Sequence, residues 1–565
     1  MVDDRAAGPG DHGHGAGAEL HRRWAERGAQ SQEAPVSALV SIEGLSVALP
    51  PGADRRFAVE DVSLQVGADQ IVCIVGESGS GKSVAAHALM GLLPRGLAAV
   101  SGRILFQGRD LLAQSAQDWR QTRGADIAMI FQDPMAALNP VMPIGRQITE
   151  QIRAHRSIGE GAALAEAGVL LAQMGLAPQL LRAFAHQLSG GQRQRVMIAM
   201  ALSLSPRLLI ADEPTTALDV TTQAQILALV KKVQAERQMS VLFITHDFGV
   251  VSDIADHVAV MREGRIVESG PAAVVLDSPR DAYTRALIAA VPRLSGSPAP
   301  LAPQKPLLAV AGLSKSYRSG GFFGRRATPA LDRVSLTLQR GETLGVVGES
   351  GSGKSTLARC IIRLVDSDAG EVLFDGADLA RMGPRGLRAQ RRRIQMVFQD
   401  PFSSLNPRHT VGEIVTAGPR AHGEPGDAAL AQAAEMLRLV GLDAAALSRY
   451  PHEFSGGQRQ RIGLARALML RPDVLIADEP VSALDVTVQA QVLDLLDQVR
   501  RKMNLAMLFI THDMRVAARI CHRVMVMRHG RVVEEGPTAT LFAAPKSDYT
   551  GQLLAAIPGR TWLEA

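Results

Sequence analysis

GESGSGKS at residues 76–83 returns unchanged at residues 348–355. An ordered set of segments recurs around it: LSGGQ at 188–192 as FSGGQ at 454–458, LIADEP at 209–214 and 475–480, and FITHD at 243–247 and 509–513. Lys82 and Lys354 lie 272 positions apart and Gln132 and Gln399 lie 267 apart, whereas Ser189–Ser455, Glu213–Glu479 and His246–His512 are each separated by 266. A fixed period this long marks a duplicated domain rather than a solenoid of short repeats. Both copies keep every chemical group, so two complete nucleotide-handling domains are expected.

The local order around the repeated octet points to an α/β fold. QIVCIV precedes it and SVAAHALMGLL follows it, which reads as strand, glycine-rich turn and helix. RLLIADEP and SVLFITHD each read as a short buried strand ending in polar residues, as in a parallel sheet whose strand C-termini face a ligand. The Ala/Leu-rich stretch at about 135–200 reads as a separate helical subdomain. These features divide the chain into an N-terminal tail without a fold at 1–37, a first domain at 38–272, and an extension at 273–293. A Pro/Ser-rich linker at 294–306, a second domain at 307–538 and a second extension at 539–565 complete it. An insertion at 318–329 pairs Phe322 and Phe323 with Arg325 and Arg326; it reads as a loop tip packed on its own domain, with contact to a membrane-embedded partner as the other reading.

Composition narrows the function classes. A net charge of +5, from 61 basic and 56 acidic side chains, is too small to argue for a nucleic-acid binder. Cys73, Cys360 and Cys521 are too dispersed for a zinc or iron–sulfur ligand run, and Cys73 in IVCIVGE reads as a core thiol, which fits a reducing cytoplasmic compartment. A membrane helix needs about 20 mostly apolar residues. The longest stretch free of Asp, Glu, Lys and Arg is 15 residues, 167–181, so no span is expected. The start lacks the basic-then-apolar order of a secretory signal.

The repeated groups specify phosphate chemistry. In GxxxxGK[ST] the glycines let backbone N–H groups converge on phosphate oxygens, the lysine offsets their charge and the hydroxyl binds magnesium. Gly76, Glu77, Ser78, Gly79, Ser80, Gly81, Lys82, Ser83 and Val84 form one such ATP-binding loop, and Gly348, Glu349, Ser350, Gly351, Ser352, Gly353, Lys354, Ser355 and Thr356 form the other. Asp212 and Asp478 end apolar strands where a carboxylate can hold Mg2+ beside Ser83 and Ser355, and the adjacent Glu213 and Glu479 can polarise an attacking water. His246 and His512 can contact the γ-phosphate and report its loss, while Gln132 and Gln399 can reach both magnesium and water. Ser189, Gly190, Gly191 and Gln192, and likewise Ser455, Gly456, Gly457 and Gln458, begin a helix and form a second phosphate site. A domain with a phosphate loop has no need of two sites for one nucleotide. Each SGGQ is therefore expected on the ATP held by the other half, in an intramolecular sandwich about a pseudo-two-fold axis.

These motifs, in this order, resemble the nucleotide-binding domains of ATP-binding cassette (ABC) proteins over nearly all of residues 38–559. ALD at 217–219 and 483–485 matches that family's D-loop. FQDPMAALNP at 131–140 and FQDPFSSLNP at 398–407 look like the corresponding segment of dipeptide, oligopeptide and nickel importer ATPases, and the layout is similar to their fused double-cassette members. The resemblance implies two tandem P-loop NTPase domains, each with a RecA-like core, a helical signature subdomain and a small antiparallel β subdomain. It also implies ATP hydrolysis coupled to import of a peptide-like solute, on the cytoplasmic face of a bacterial inner membrane. Two integral membrane permease subunits and, indirectly, an extracytoplasmic solute-binding protein are the implied partners.

DSPRDAYTRALIAAVP at 277–292 and AAPKSDYTGQLLAAIP at 543–558 are similar to the family's C-terminal extension, although its His-Pro before Tyr is replaced by Asp281-Ala282 and by Lys546-Ser547-Asp548. Both are expected to be amphipathic packing segments. By alignment of GLSKSY with GLSVAL, Tyr317 stands where the family stacks an aromatic on adenine, whereas the first half has Leu49, with Phe57 as a substitute. The alternative function is a soluble twin-cassette ATPase acting on ribosome or DNA. The short linker, the lack of a zinc-type cysteine cluster and the lack of a long coiled coil all weigh against it.

Overall fold

Short strands without a solvent-facing side chain must be covered on both faces. Ile71–Val75, Leu208–Asp212 and Ser240–Thr245 are buried along their whole length. In this computed structural model they lie side by side and parallel in a six-stranded sheet. The structure describes residues 38–564 apart from 217, 320–325, 401–403 and 483. The expected tail at 1–37, the paired Phe322 and Phe323, and Ala217 and Ala483 of the two ALD segments therefore lie outside the described residues.

The sheet order is Arg265–Pro271, His257–Arg262, Ile71–Val75, Ser240–Thr245, Leu208–Asp212, Ile127–Ile130, with only the first pair antiparallel. The second half repeats it as Arg531–Pro537, Arg523–Arg528, Thr343–Val347, Ala506–Thr511, Val474–Asp478, Ile394–Val397. Beside each lies a four-stranded antiparallel sheet. In the first half it comprises Phe57–Val66, Val40–Ala48, Ala98–Phe106 and Arg109–Asp110; in the second, Arg326–Leu338, Leu308–Ser319, Ala369–Phe374 and Ala377–Asp378.

The expected helical subdomain is Ile144–His155, Glu160–Gln173 and Gly190–Ala201, mirrored by Val411–Ala421, Gly426–Leu439 and Gly456–Leu468. In each half one apolar cluster joins the central sheet to these helices and another fills the space between the two sheets. All three cysteines are buried and unpaired. Among the described residues no helix is long and apolar enough to cross a membrane.

The halves interlock. Val486 of the second half lies in the first half's core, and Val220 of the first lies in the second's. The extension helix Ala282–Ala290 packs on Val486–Met503 of the other half, and Asp548–Ala555 packs on Val220–Arg237. The last helix, Arg560–Glu564, touches Phe248–Ile254, and Gly559 N–H donates to Asp253 Oδ2 at 2.9 Å. The extensions therefore pack as expected, and they do so across the chain's pseudo-symmetry.

Candidate functional site

Both phosphate loops depend on glycine for two separate reasons. Gly76 has φ 150° and a side chain there would meet the Met261 carbonyl oxygen at 2.2 Å; Gly348 repeats this against Met527. Gly81 and Gly353, at φ 103° and 104°, cap the following helices in the left-handed region, where a Cβ is strained. Within the loop, buried Lys82 Nζ donates to the carbonyls of Gly76 at 2.7 Å and Glu77 at 2.8 Å, and Lys354 makes the same bonds to Gly348 and Glu349. Burial lowers the pKa of both ammonium groups, against the pull of nearby carboxylates.

The residues picked from sequence converge on these loops. Ser83 Oγ donates to Asp212 Oδ1 at 3.0 Å, and Ser355 Oγ donates to Asp478 Oδ1 at 3.0 Å. Burial raises the pKa of both aspartates despite those hydroxyls. The next residue along each strand turns sharply, for Glu213 and Glu479 both have φ 46°. A non-glycine residue held there costs about 1–3 kcal/mol and persists only where its surroundings impose it.

The surroundings are polar and specific. Gln132 Nε2 donates to Glu213 Oε2 at 3.0 Å, Thr216 Oγ1 donates to the same oxygen at 2.9 Å, and His246 Nδ1 lies 3.5 Å from Oε1. In the second half Gln399 Nε2 reaches Glu479 Oε2 at 2.9 Å and His512 Nδ1 is 3.3 Å from Oε1, while Ser482 bonds to the Glu479 carbonyl instead. Burial would raise the Glu213 pKa, but the His246 and Thr216 contacts win and hold it at about 2; Glu479 is lowered by the same balance. Burial likewise opposes charge on both histidines, and the facing glutamates overcome it and raise them.

Two further sets of expected residues lie outside this hydrogen-bonded group. Ser189 and Ser455 cap their own helices in reciprocal boxes with Gln192 and Gln458. The hydrogen bonds reaching each phosphate loop from the opposite half come instead from the segment after Glu213 or Glu479. Ser78 donates through its N–H at 2.8 Å and its hydroxyl at 2.9 Å to Asp485 Oδ1, and Thr487 donates to Glu77. Reciprocally, Ser350 N–H donates to Asp219, and Thr221 Oγ1 donates to Glu349 Oε1 at 2.6 Å. Tyr317 is 43 % exposed, whereas Leu49 is half-buried and Phe57 lies under the Arg56 guanidinium at 5.0 Å.

The extensions do more than pack. Glu77 N–H donates to Tyr283 Oη at 3.3 Å, and Glu349 N–H donates to Tyr549 Oη at 3.3 Å. Arg262 and Arg528 cover the two rings at 5.0 and 4.6 Å. The signal for this contact was present in the sequence, because Tyr283 and Tyr549 share the 266-residue spacing of the nucleotide motifs.

With that geometry in hand, comparison with known proteins is specific. The ABC transporter family model matches residues 59–216 and again 331–482, and the oligopeptide/dipeptide transporter C-terminal region matches residues 267–326. The chain is 47% identical, over 94% of its own length and 91% of theirs, to the glutathione import ATP-binding protein GsiA of Shigella sonnei and of Escherichia coli K12. The Salmonella typhimurium protein of the same name is 47% identical over 92% of this chain and 89% of its own.

Proposed function

Because this chain belongs to the ABC transporter family, we propose that it uses two ATP sites to energise import of a peptide-like small solute through two partner membrane permeases. It is a two-cassette ATPase. The observation that carries the site assignment is the doubled constellation of a hydroxyl–aspartate pair, a hydrogen-bonded glutamate and a histidine behind each phosphate loop.

The loop amides and Lys82 or Lys354 hold the phosphates, with Lys exchanging its carbonyl partners for phosphate oxygens. Ser83 with Asp212, and Ser355 with Asp478, offer the hard oxygen donors that suit Mg2+, with Gln132 and Gln399 at the edge of that site. Mg2+ held there would offset charge on the β- and γ-phosphates. Glu213 and Glu479 orient the attacking water and receive its proton. A carboxylate held near pKa 2 is a weak base. Glu213 therefore acts once His246 moves off it, and His246 and His512 are the groups that exchange a carboxylate for the γ-phosphate. Ser189 and Ser455 close on the ATP of the opposite half, so two nucleotides are sandwiched and hydrolysis releases the halves.

The chain is placed at the cytoplasmic face of the inner membrane, with the segments after Gln132 and Gln399 receiving the permeases and a solute-binding protein delivering cargo from outside. We infer domain limits with cassettes at 38–272 and 307–538. The relatives' role in glutathione import makes glutathione the first solute to test. The deciding experiment is affinity capture of the tagged chain from detergent-solubilised membranes, with ATPase assays of Glu213→Gln and Glu479→Gln controls. Co-purified multi-span permeases support the reading; ribosomes or DNA in their place overturn it.

A further inference from the structure

The repeat is broken at a buried position between the halves. The 266-residue spacing pairs Arg515 with Gly249. Arg515 is buried where the halves meet, and its guanidinium crosses to Asp247, donating from Nη1 to Oδ1 at 3.0 Å and from Nη2 to Oδ2 at 2.9 Å. The same group holds Asp513 of its own half, from Nη2 at 3.0 Å and Nε at 3.2 Å. Asp247 follows His246, Asp513 follows His512, and each aspartate caps the helix after its histidine. Both histidines, both aspartates and Arg515 line one cavity of about 100 Å³ between the halves.

Gly249 is what makes room. A Cβ there would meet the Pro558 carbonyl oxygen at 2.5 Å and Arg515 Nη1 at 3.1 Å. A second arginine at that position would place two cations in one small buried space. In a two-fold homodimer the same residue must appear on both sides of the axis. A fused chain escapes that constraint, placing one cation between two carboxylates.

We propose that Arg515 is a positioning residue that couples the two ATP sites by tying both post-histidine loops to one rigid planar group. A shift of either histidine pulls its adjacent aspartate, and the fork geometry of the guanidinium transmits that pull to the other loop. The inference rests on the site assignment above, with Glu213 and Glu479 as the hydrolytic residues and the histidines as sensors.

The test is the ATP dependence of hydrolysis by the purified full chain. The parent should show a Hill coefficient above 1. Arg515→Gln should bring it to 1 with KM changed less than about twofold, and Arg515→Lys, which keeps charge without the fork, should fall between. If Arg515→Gln does not fold, the charge-free variant Asp247→Asn, Asp513→Asn, Arg515→Met is read in the same way. A parent coefficient of 1 overturns the proposal. So does a folded variant that keeps the parent's coefficient, even with a lowered melting temperature. The two readings fail separately: a Glu213→Gln, Glu479→Gln chain that still hydrolyses ATP sinks the site assignment. Loss of hydrolysis there with cooperativity kept in Arg515→Gln sinks only the coupling.

Discussion

The first half places Leu49, Thr216, Gly249 and Asp281 where the second places Tyr317, Ser482, Arg515 and Ser547. Behind the phosphate loops, by contrast, the halves agree closely: the Ser–Asp bond is 3.0 Å in both, Gln–Glu is 3.0 and 2.9 Å, and both glutamates share φ 46°. The difference teaches where duplication tolerates divergence. Groups proposed to meet a phosphate would be fixed by the phosphate's own geometry, which is the same in each half. Groups at the axis or a helix terminus, and those proposed to meet adenine, answer to neighbours that differ.

The strongest way to break the comparison is to disable one half at a time. Glu213→Gln and Glu479→Gln should each slow hydrolysis at their own site by about 10²–10⁴-fold. Independent sites would leave total turnover at about half. Coupling through Arg515 instead predicts a fall of about tenfold or more from either single replacement, measured as steady-state phosphate release. A smaller effect is expected at adenine. An aromatic stack is worth ~1–3 kcal/mol by analogy with bases bound to aromatic platforms, so Lys354→Ala, which leaves only the Leu49 site, should bind ATP more weakly than Lys82→Ala. Titration with a fluorescent ATP analogue checks this, and Leu49→Tyr should close the gap; equal affinities would remove the asymmetry.

Much of this was legible beforehand because it is local. A phosphate loop needs its glycines, lysine and hydroxyl in one octet, and the sheet strands announce themselves as short apolar runs ending in Asp or His. The repeat then doubles every inference. What was not legible is contact between distant segments. ALD is a motif by sequence, yet nothing local says that Asp485 accepts from Ser78, 407 positions away. Nor does Arg515 announce Asp247, 268 positions away, since an arginine in a helix ordinarily reads as a solvated face. The tyrosines were legible only through their spacing, because an apolar helix with one Tyr reads as packing.

The extensions sharpen the comparison further. Tyr283→Phe and Tyr549→Phe each remove one neutral hydrogen bond, ~0.5–1.5 kcal/mol, so each should raise KM for ATP at its own site by about 2–10-fold without unfolding the chain. Asp281 accepts from Tyr283 N–H and Thr284 N–H at the helix start, whereas Ser547 makes no such side-chain bond. Asp281→Ala should therefore reproduce part of the Tyr283→Phe effect while Ser547→Ala leaves ATP dependence unchanged; equal effects would mean that the caps do not position the tyrosines.

The smallest effect concerns protons. The pKa of His246 is raised, so its contribution to stability is fully present below the ordinary value of 6.5 and is lost as pH rises through the raised value. Glu213 is depressed to about 2, so its contribution is present above the ordinary 4.5 and is lost as pH falls toward 2. The pair therefore stabilises the fold most between those ordinary values. The melting-temperature gap between parent and His246→Gln should be largest at about pH 5.5 and shrink by about pH 9. His512→Gln should follow the same sign with a slightly larger gap, because His512 is 21% exposed against 30% for His246, and less exposed charges are less screened by solvent. A gap that grows with pH in either half would mean that the histidine is held neutral there, and the two sensors would no longer be equivalent.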